Sequence, residues 1–309
     1  MKVAILGGGG GVGSSTAFNL LQLGDPYEVV LADRRKEKVI SHTMDLKQVL
    51  ELGGTGTARA GVCEEALDAD VVVVTASAPL TVNTSRLAYL HENAEIVGGI
   101  GDLLAQAGDS FEGVVIVVTN PVDPLCTLLH ARADLDRRRV LGYTLNDSLR
   151  LRTGIASALG IDAGSVEGWV LGEHGDACVP LFDRVRVDGA DVTLTADQCA
   201  EAEEFLRTWY VRHVALDSGR TSTWTSGLGV ARMISAIAWD SGDLWPASVV
   251  LAGEYGIDGV ALSVPISLGR EGAQRIHEWP LSDEDHAGLE RAAAVVREAC
   301  DRTDGTAAS

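Results

Sequence analysis

Two stretches of this chain combine residue types that can do chemistry. Gly7-Gly8-Gly9-Gly10-Gly11-Val12-Gly13 follows a short apolar run and leads into a helical pattern, matching G-x-G-x-x-G at Gly8, Gly10 and Gly13. Glycine there permits a tight turn, lets backbone approach a pyrophosphate and allows close strand–helix contact. Amides at the helix start then bind the phosphates. Five glycines in a row could be only a flexible turn, but Asp33 stands 20 residues after Gly13, at the end of a second apolar run. A carboxylate at that spacing can hydrogen-bond ribose hydroxyls. Together they predict a dinucleotide site, with Val12 beside the loop and Thr75 at the end of a third apolar run as further contacts. Asp33 repels a 2′-phosphate and so favours NAD. Arg34 and Arg35 next to it either pair with such a phosphate or face solvent. The second stretch, Leu171-Gly172-Glu173-His174-Gly175-Asp176, places a histidine on a glycine-flanked loop after a β run. Imidazole titrates near neutrality and can give or take a proton there. The other six histidines lack such a setting and read as structural.

These loops need a scaffold. Apolar runs at 3–6, 28–32, 71–75, 114–119 and 140–142 alternate with helical patterns at 12–23, 36–52, 86–107 and 123–133. The runs are apolar throughout, as in parallel strands covered on both faces. Their order predicts an α/β fold, a Rossmann-type doubly wound parallel sheet. After Asp147 the texture becomes α+β. Helices are expected at 147–159, 196–214, 227–239 and 283–301, and strands at 166–171, 247–252, 260–268 and 275–279. A hairpin is expected with arms 185–187 and 192–194 around Asp188-Gly189. Residues 1–145 thus read as a dinucleotide-binding domain and 146–309 as a catalytic domain, ending in a frayed tail from 304.

Composition narrows the function. Lys plus Arg is 25 against 44 for Asp plus Glu, a net charge of −19, whose field repels nucleic-acid phosphate and anionic membranes. The apolar runs are too short to span a bilayer, and no signal peptide precedes the first strand. The five cysteines are an odd number without Cys-x-x-Cys, so they read as reduced thiols of a cytoplasmic protein, with no metal site expected. Only four basic residues are Lys. An acidic, Lys-poor surface fits solubility at high salt, although a GC-rich genome gives the same Arg bias.

Further motifs follow in order. Thr119-Asn120-Pro121-Val122-Asp123, Thr144-Leu145-Asn146-Asp147-Ser148-Leu149-Arg150, Ser85-Arg86 and the His174 loop resemble segments of the lactate/malate dehydrogenases. The resemblance covers almost the whole chain. It is closest in texture to the halophilic malate dehydrogenases, in Gly172–Asp176 and in Pro246-Ala247-Ser248-Val249, while Asn146 departs from the family's usual Leu. It implies hydride transfer between NAD and a small 2-oxo or 2-hydroxy acid. His174 would be the proton donor and Asp147 its hydrogen-bonded partner. Arg150 would grip the substrate C1 carboxylate, since a guanidinium fork suits a bidentate bond. Arg86 would polarise the carbonyl when its loop closes. Asn120 would contact the substrate oxygen or seat the nicotinamide. Thr221-Ser222-Thr223-Trp224 resembles a pocket-lining segment, with Ser222 toward substrate or, equally, packed in the core. A homodimer or a tetramer built from dimers is implied. A cofactor-binding sensor would be expected to lose His174, Asp147 or Arg86, and a metal-dependent NAD glycosidase would need a Cys/His metal pair.

The substrate is read from the loop Ala76-Ser77-Ala78-Pro79-Leu80-Thr81-Val82-Asn83-Thr84-Ser85-Arg86. Malate dehydrogenases carry an Arg six residues before the catalytic loop Arg, and it pairs with the second carboxylate of oxaloacetate. Here that position is Leu80. The expectation is therefore L-lactate dehydrogenase activity. A malate dehydrogenase with its anchor relocated to Arg220 or Arg232, or an enzyme for larger apolar 2-oxo acids, stays open.

Overall fold

Strand β1 (Lys2–Leu6) shows why the apolar runs do not alternate. Val3 and Ile5 pack into one core cluster, and Ala4 and Leu6 into another on the opposite face. The computed structural model describes residues 1–79, 86–219 and 221–304, without the side chains of Arg86, Leu87, Asp109 and Asp304. Helices α1 (Gly11–Gln22) and α2 (Lys36–Glu51) flank β2 (Glu28–Ala32), and β3 (Thr57–Ala60) and β4 (Val71–Val74) follow. Then come α3 (Arg86–Ala105), β5 (Val114–Val117), α4 (Val122–Ala133) and β6 (Val140–Tyr143). The strands pair in parallel in the order β3-β2-β1-β4-β5-β6. Val71 and Val73 of β4 face one cluster and Val72 and Val74 the other, all fully buried. Burying one such side chain is worth about 1.5–3 kcal/mol, so each strand holds both helical layers. The order reverses between β1 and β4, and ligands bind at such a switch point, beyond the carboxyl ends of the strands. The glycine loop lies there.

Strand β3 was not expected. Thr57-Ala58-Arg59-Ala60 has no apolar run, because as the edge strand it faces solvent in part, and Arg59 is tied to Glu28 and Glu65.

The second half of the chain continues the same sheet. After α5 (Leu145–Leu159) come β7 (Val166–Glu167), β8 (Val170–Gly172), β9 (Cys178–Pro180), β10 (Arg186–Val187) and β11 (Ala190–Asp191). Helices α6 (Ala196–Ala215) and α7 (Thr223–Ala238), strands β12 (Leu244–Ala252), β13 (Asp258–Gly269) and β14 (Gly272–Ile276), and α8 (Asp283–Asp304) complete the chain. Strand β12 joins β6 antiparallel, and β13, β8 and β9 extend the sheet to eleven strands, with β14 beside β13.

Three expectations need correction. The strand expected at 166–171 is two: β7 joins a small sheet with β10 and β11, while β8 joins the large one. Between them Trp169 packs edge-on against Trp279, with ring centroids 5.0 Å apart. The hairpin's second arm is Ala190–Asp191, not 192–194. Asp188 and Gly189 take φ of 48° and 77°, a two-residue turn that sets Val187 opposite Ala190. The last strand is Gly272–Ile276 rather than 275–279, because it turns back directly from Gly269. Helix α8 runs on to Asp304, and residues 305–309 lie outside the described residues.

Candidate active site

The glycine loop closes on itself. Gly7 has φ of 94°, and its carbonyl accepts the Gly10 amide at 2.9 Å. A Cβ at Gly13 would stand 2.7 Å from that same oxygen, so only glycine lets α1 start against the loop. Gly8 stacks on Leu31 of β2. Asp33 sits at the loop's rim, where its Oδ2 accepts the Gly9 amide at 3.1 Å and its Oδ1 the Arg35 amide at 2.9 Å. Arg34 and Arg35 are exposed at the start of α2. Thr75 lies behind the loop and donates its hydroxyl to Leu6 O at 3.1 Å. Val12 is half-buried in the first turn of α1. Amides at the start of α1 and a carboxylate at the end of β2 suit a pyrophosphate and a ribose, so these residues fit NAD.

Across the strand ends, α5 presents Asp147 and Arg150 on one face. Arg150 Nη1 donates to Asp147 Oδ1 at 3.1 Å, and Asp147 Oδ2 is hydrogen-bonded to His174 Nδ1. Both acid and imidazole are largely buried, with side chains 10% and 14% exposed. Burial alone would pull the His174 pKa down. The charge and hydrogen bond of Asp147, with Asp123 behind them, outweigh it and hold the imidazole above its usual value. Nδ1 is engaged by Asp147, which leaves Nε2 for a substrate. Ser222 caps α7, and Arg150 Nη2 donates to its Oγ at 3.4 Å, which brings Ser222 beside the guanidinium rather than into the core.

Asn146 is buried, yet it is satisfied. Its Oδ1 accepts from Tyr143 OH at 3.1 Å and its Nδ2 donates to Ser226 Oγ at 2.9 Å, a polar pair bridging α5 to α7. Asn120, at the turn before α4, is exposed, and its carbonyl accepts Asn93 Nδ2 at 2.8 Å. Asn93 is fully buried, and its Oδ1 accepts the Ala78 amide at 2.7 Å, which ties the root of the 76–86 loop to that turn. Arg86 is the first residue of α3, with its side chain outside the described residues. Leu80 and Arg220 lie outside them too. Arg232 is exposed on α7, ten residues past Ser222. Among the described residues no three His, Cys, Asp or Glu side chains are grouped to hold a metal.

Sequence reasoning missed three residues. Asp123 is almost wholly buried and accepts the His174 backbone amide. Ser248 of β12 donates its hydroxyl to Asp123 Oδ1 at 2.6 Å. Trp209 of α6 lies under Arg150, whose guanidinium carbon is 4.4 Å from its ring centroid, and His213 stacks on the same indole. Asp123 and Ser248 stood inside family-like segments without a role of their own, and Trp209 was visible only as one aromatic on a helix.

A glycine turn at a switch point and a buried Asp–His pair beside a guanidinium suit a dinucleotide-dependent enzyme acting on a small acid. Family models agree. Residues 1–142 match the lactate/malate dehydrogenase NAD-binding domain, and 144–304 match the lactate/malate dehydrogenase α/β C-terminal domain. A malate dehydrogenase of Haloferax volcanii is 34% identical over 307 residues, covering 97% of this chain and 98% of its own. An L-lactate dehydrogenase of Treponema denticola is 32% identical, covering 96% of each chain. The solved malate dehydrogenase of Aeropyrum pernix superposes with a TM-score of 0.90 at 27% identity over 97% of each chain. The chain belongs to the lactate/malate dehydrogenase family, NAD-dependent oxidoreductases of 2-hydroxy acids.

Proposed function

We propose that this enzyme interconverts pyruvate and L-lactate. The observation that carries the chemistry is the Asp147–His174 hydrogen bond with Arg150 on the same carboxylate. Bound NADH supplies the hydride. His174 holds a proton at Nε2 and gives it to the carbonyl oxygen, and Asp147 fixes the ring and favours the charged form before transfer. Each terminal nitrogen of Arg150 carries two N–H groups. Asp147 and Ser222 each take one, and the second on each nitrogen is available to fork the substrate C1 carboxylate. Trp209 supports that guanidinium from below. Arg86 polarises the carbonyl, and Asn120 contacts the substrate oxygen or the nicotinamide.

Leu80 supports pyruvate over oxaloacetate. A C4 carboxylate closed against Leu80 lacks a partner, a penalty of several kcal/mol. A methyl group there gains roughly 0.8 kcal/mol. The malate reading draws support from the name of the Haloferax relative. It needs another cation, and Arg232 is poorly placed. Ten helical residues put it about 15 Å along α7 from Ser222, beyond the reach of a guanidinium. Relative kcat/KM for pyruvate and oxaloacetate at matched pH and salt tests the proposal, with pyruvate expected to lead. Leu80→Arg is expected to raise oxaloacetate turnover and depress that of pyruvate. Wild-type preference for oxaloacetate would make the enzyme a malate dehydrogenase.

A homo-oligomer belongs to the same proposal. Phe18 of α1, Ile40 and Met44 of α2, and Trp224 and Leu228 of α7 are large apolar side chains left exposed on helices of one region. Their burial against a second copy fits a dimer, and pairing of dimers a tetramer. Light scattering should give a multiple of 32.5 kDa, and a single-chain mass would refute self-association.

A further inference from the structure

Asp123 is 1% exposed, and the mechanism above gives it no part. Its Oδ2 accepts the His174 backbone amide at 2.6 Å and its Oδ1 accepts the Ser248 hydroxyl at 2.6 Å. It lies three residues past Asn120, in the first turn of α4, so one short segment carries Asn120 and also grips the histidine loop. The far end of that loop is held separately, by Glu173 on the Ala177 amide at 2.9 Å and by Arg207 on the Asp176 carbonyl at 2.8 Å.

We propose that Asp123 is a positioning residue for His174: it clamps the loop by the backbone amide and sets a second negative charge behind the imidazole. The inference rests on His174 being the proton donor of the proposed reaction. The charged groups facing His174 are Asp147 and Arg150 from α5, Asp123 from α4, and Glu173 beside it on the loop. The two aspartates favour the imidazolium and Arg150 opposes it. Burial pushes the Asp123 carboxyl up to about 7, while the Ser248 hydroxyl and the His174 amide pull it back and Glu173 adds a smaller upward push. Above that pH the carboxylate is ionised. Where it is ionised, its charge favours the imidazolium. Asp147 aligns the ring, and Asp123 places the residue that bears it.

Asp123→Asn tests this while keeping the shape. Its Oδ1 can still accept the His174 amide, and its Nδ2 can donate to the Ser248 hydroxyl. Pyruvate reduction needs the protonated imidazole, so kcat/KM falls as pH rises through the His174 pKa. In Asp123→Asn that falling limb is expected to move to lower pH by roughly one unit, with NADH affinity unchanged. The His174 imidazole titration by NMR, assigned by the resonance lost in His174→Asn, is expected to move with it. Ser248→Ala keeps the carboxylate but removes one of its donors. It should shift both readouts in the same direction by less. An Asp123→Asn protein that folds and shows neither shift overturns the proposal. Should that variant not fold, an unmoved titration in Ser248→Ala overturns it. Wild-type protein that reduces no 2-oxo acid would sink the proposed function alone, because the NMR titration still reads the effect of Asp123 on His174.

Discussion

The two sides of the site are built from different materials. The cofactor loop is backbone: amides and carbonyls of residues 7–13, closed by a carboxylate from the next strand over. Its parts come from one β-α-β unit and lie within about thirty residues of one another. The side proposed to handle the proton is made of side chains from separate elements, with Asp123 on α4, Asp147 and Arg150 on α5, His174 after β8, Trp209 on α6 and Ser222 at the cap of α7. A backbone site tolerates most substitutions outside its glycines. A side-chain site concentrates its function in a few atoms, each dependent on the others' placement.

If that contrast holds, the largest single loss belongs to the side-chain half. His174→Asn should lower kcat by about 10²–10⁴-fold, the usual worth of a positioned acid–base group, and leave NADH binding intact. Stopped-flow turnover and NADH fluorescence titration check the two parts, and near wild-type turnover would move the proton donor elsewhere. The pH dependence has a defined sign. With the His174 pKa above its ordinary 6.5, reduction should persist past that pH and then decline, while oxidation of the hydroxy acid should rise over the same range.

A smaller effect is expected on the cofactor side. Asp33→Ala removes one carboxylate from a site otherwise made of backbone. It should raise the preference for NADP over NAD by roughly tenfold or more, since a hydrogen bond to a charged group is worth about 1.5–3 kcal/mol. Arg34 and Arg35, exposed beside it, would then be free to meet a 2′-phosphate. An unchanged ratio of NADP to NAD turnover would show that Asp33 does not bind the ribose.

The smallest effect touches both halves alike. A net charge of −19 leaves self-repulsion that counter-ions relieve within a Debye length of about 3 Å at 1 M salt. The melting temperature should rise between low and molar KCl, by roughly 2–4 °C for each kcal/mol relieved. A flat or falling melt would reject salt adaptation.

The uneven legibility of the chain follows the same division. Five of the six parallel strands were readable because burial on both faces forces unbroken apolar runs, as in Val71–Val74. Strand β3 was not, since an edge strand needs no such run. The hairpin turn at Asp188-Gly189 could be read from residue type, but the strand pairing beyond it could not, because register depends on the turn's exact backbone. Asn146 looked like a departure from the family pattern. Tyr143 and Ser226, three residues before it and eighty after, make it a satisfied buried amide.

Glycine spacing, the acid after the second strand and the histidine between glycines were determined by the sequence itself, because each requirement is local. A turn needs its φ, a phosphate needs close backbone, and a strand needs its apolar residues. Tertiary structure alone decided which acid faces which ring. Asp123 and Asp147 are both acids in the first turn of a helix, and nothing in their neighbours separates them. Only when α4 and α5 are packed against β12 and the loop after β8 does one carboxylate meet the His174 ring and the other its backbone amide. Burial, which gives those contacts their strength, is a property of the packed sheet and not of any segment within it.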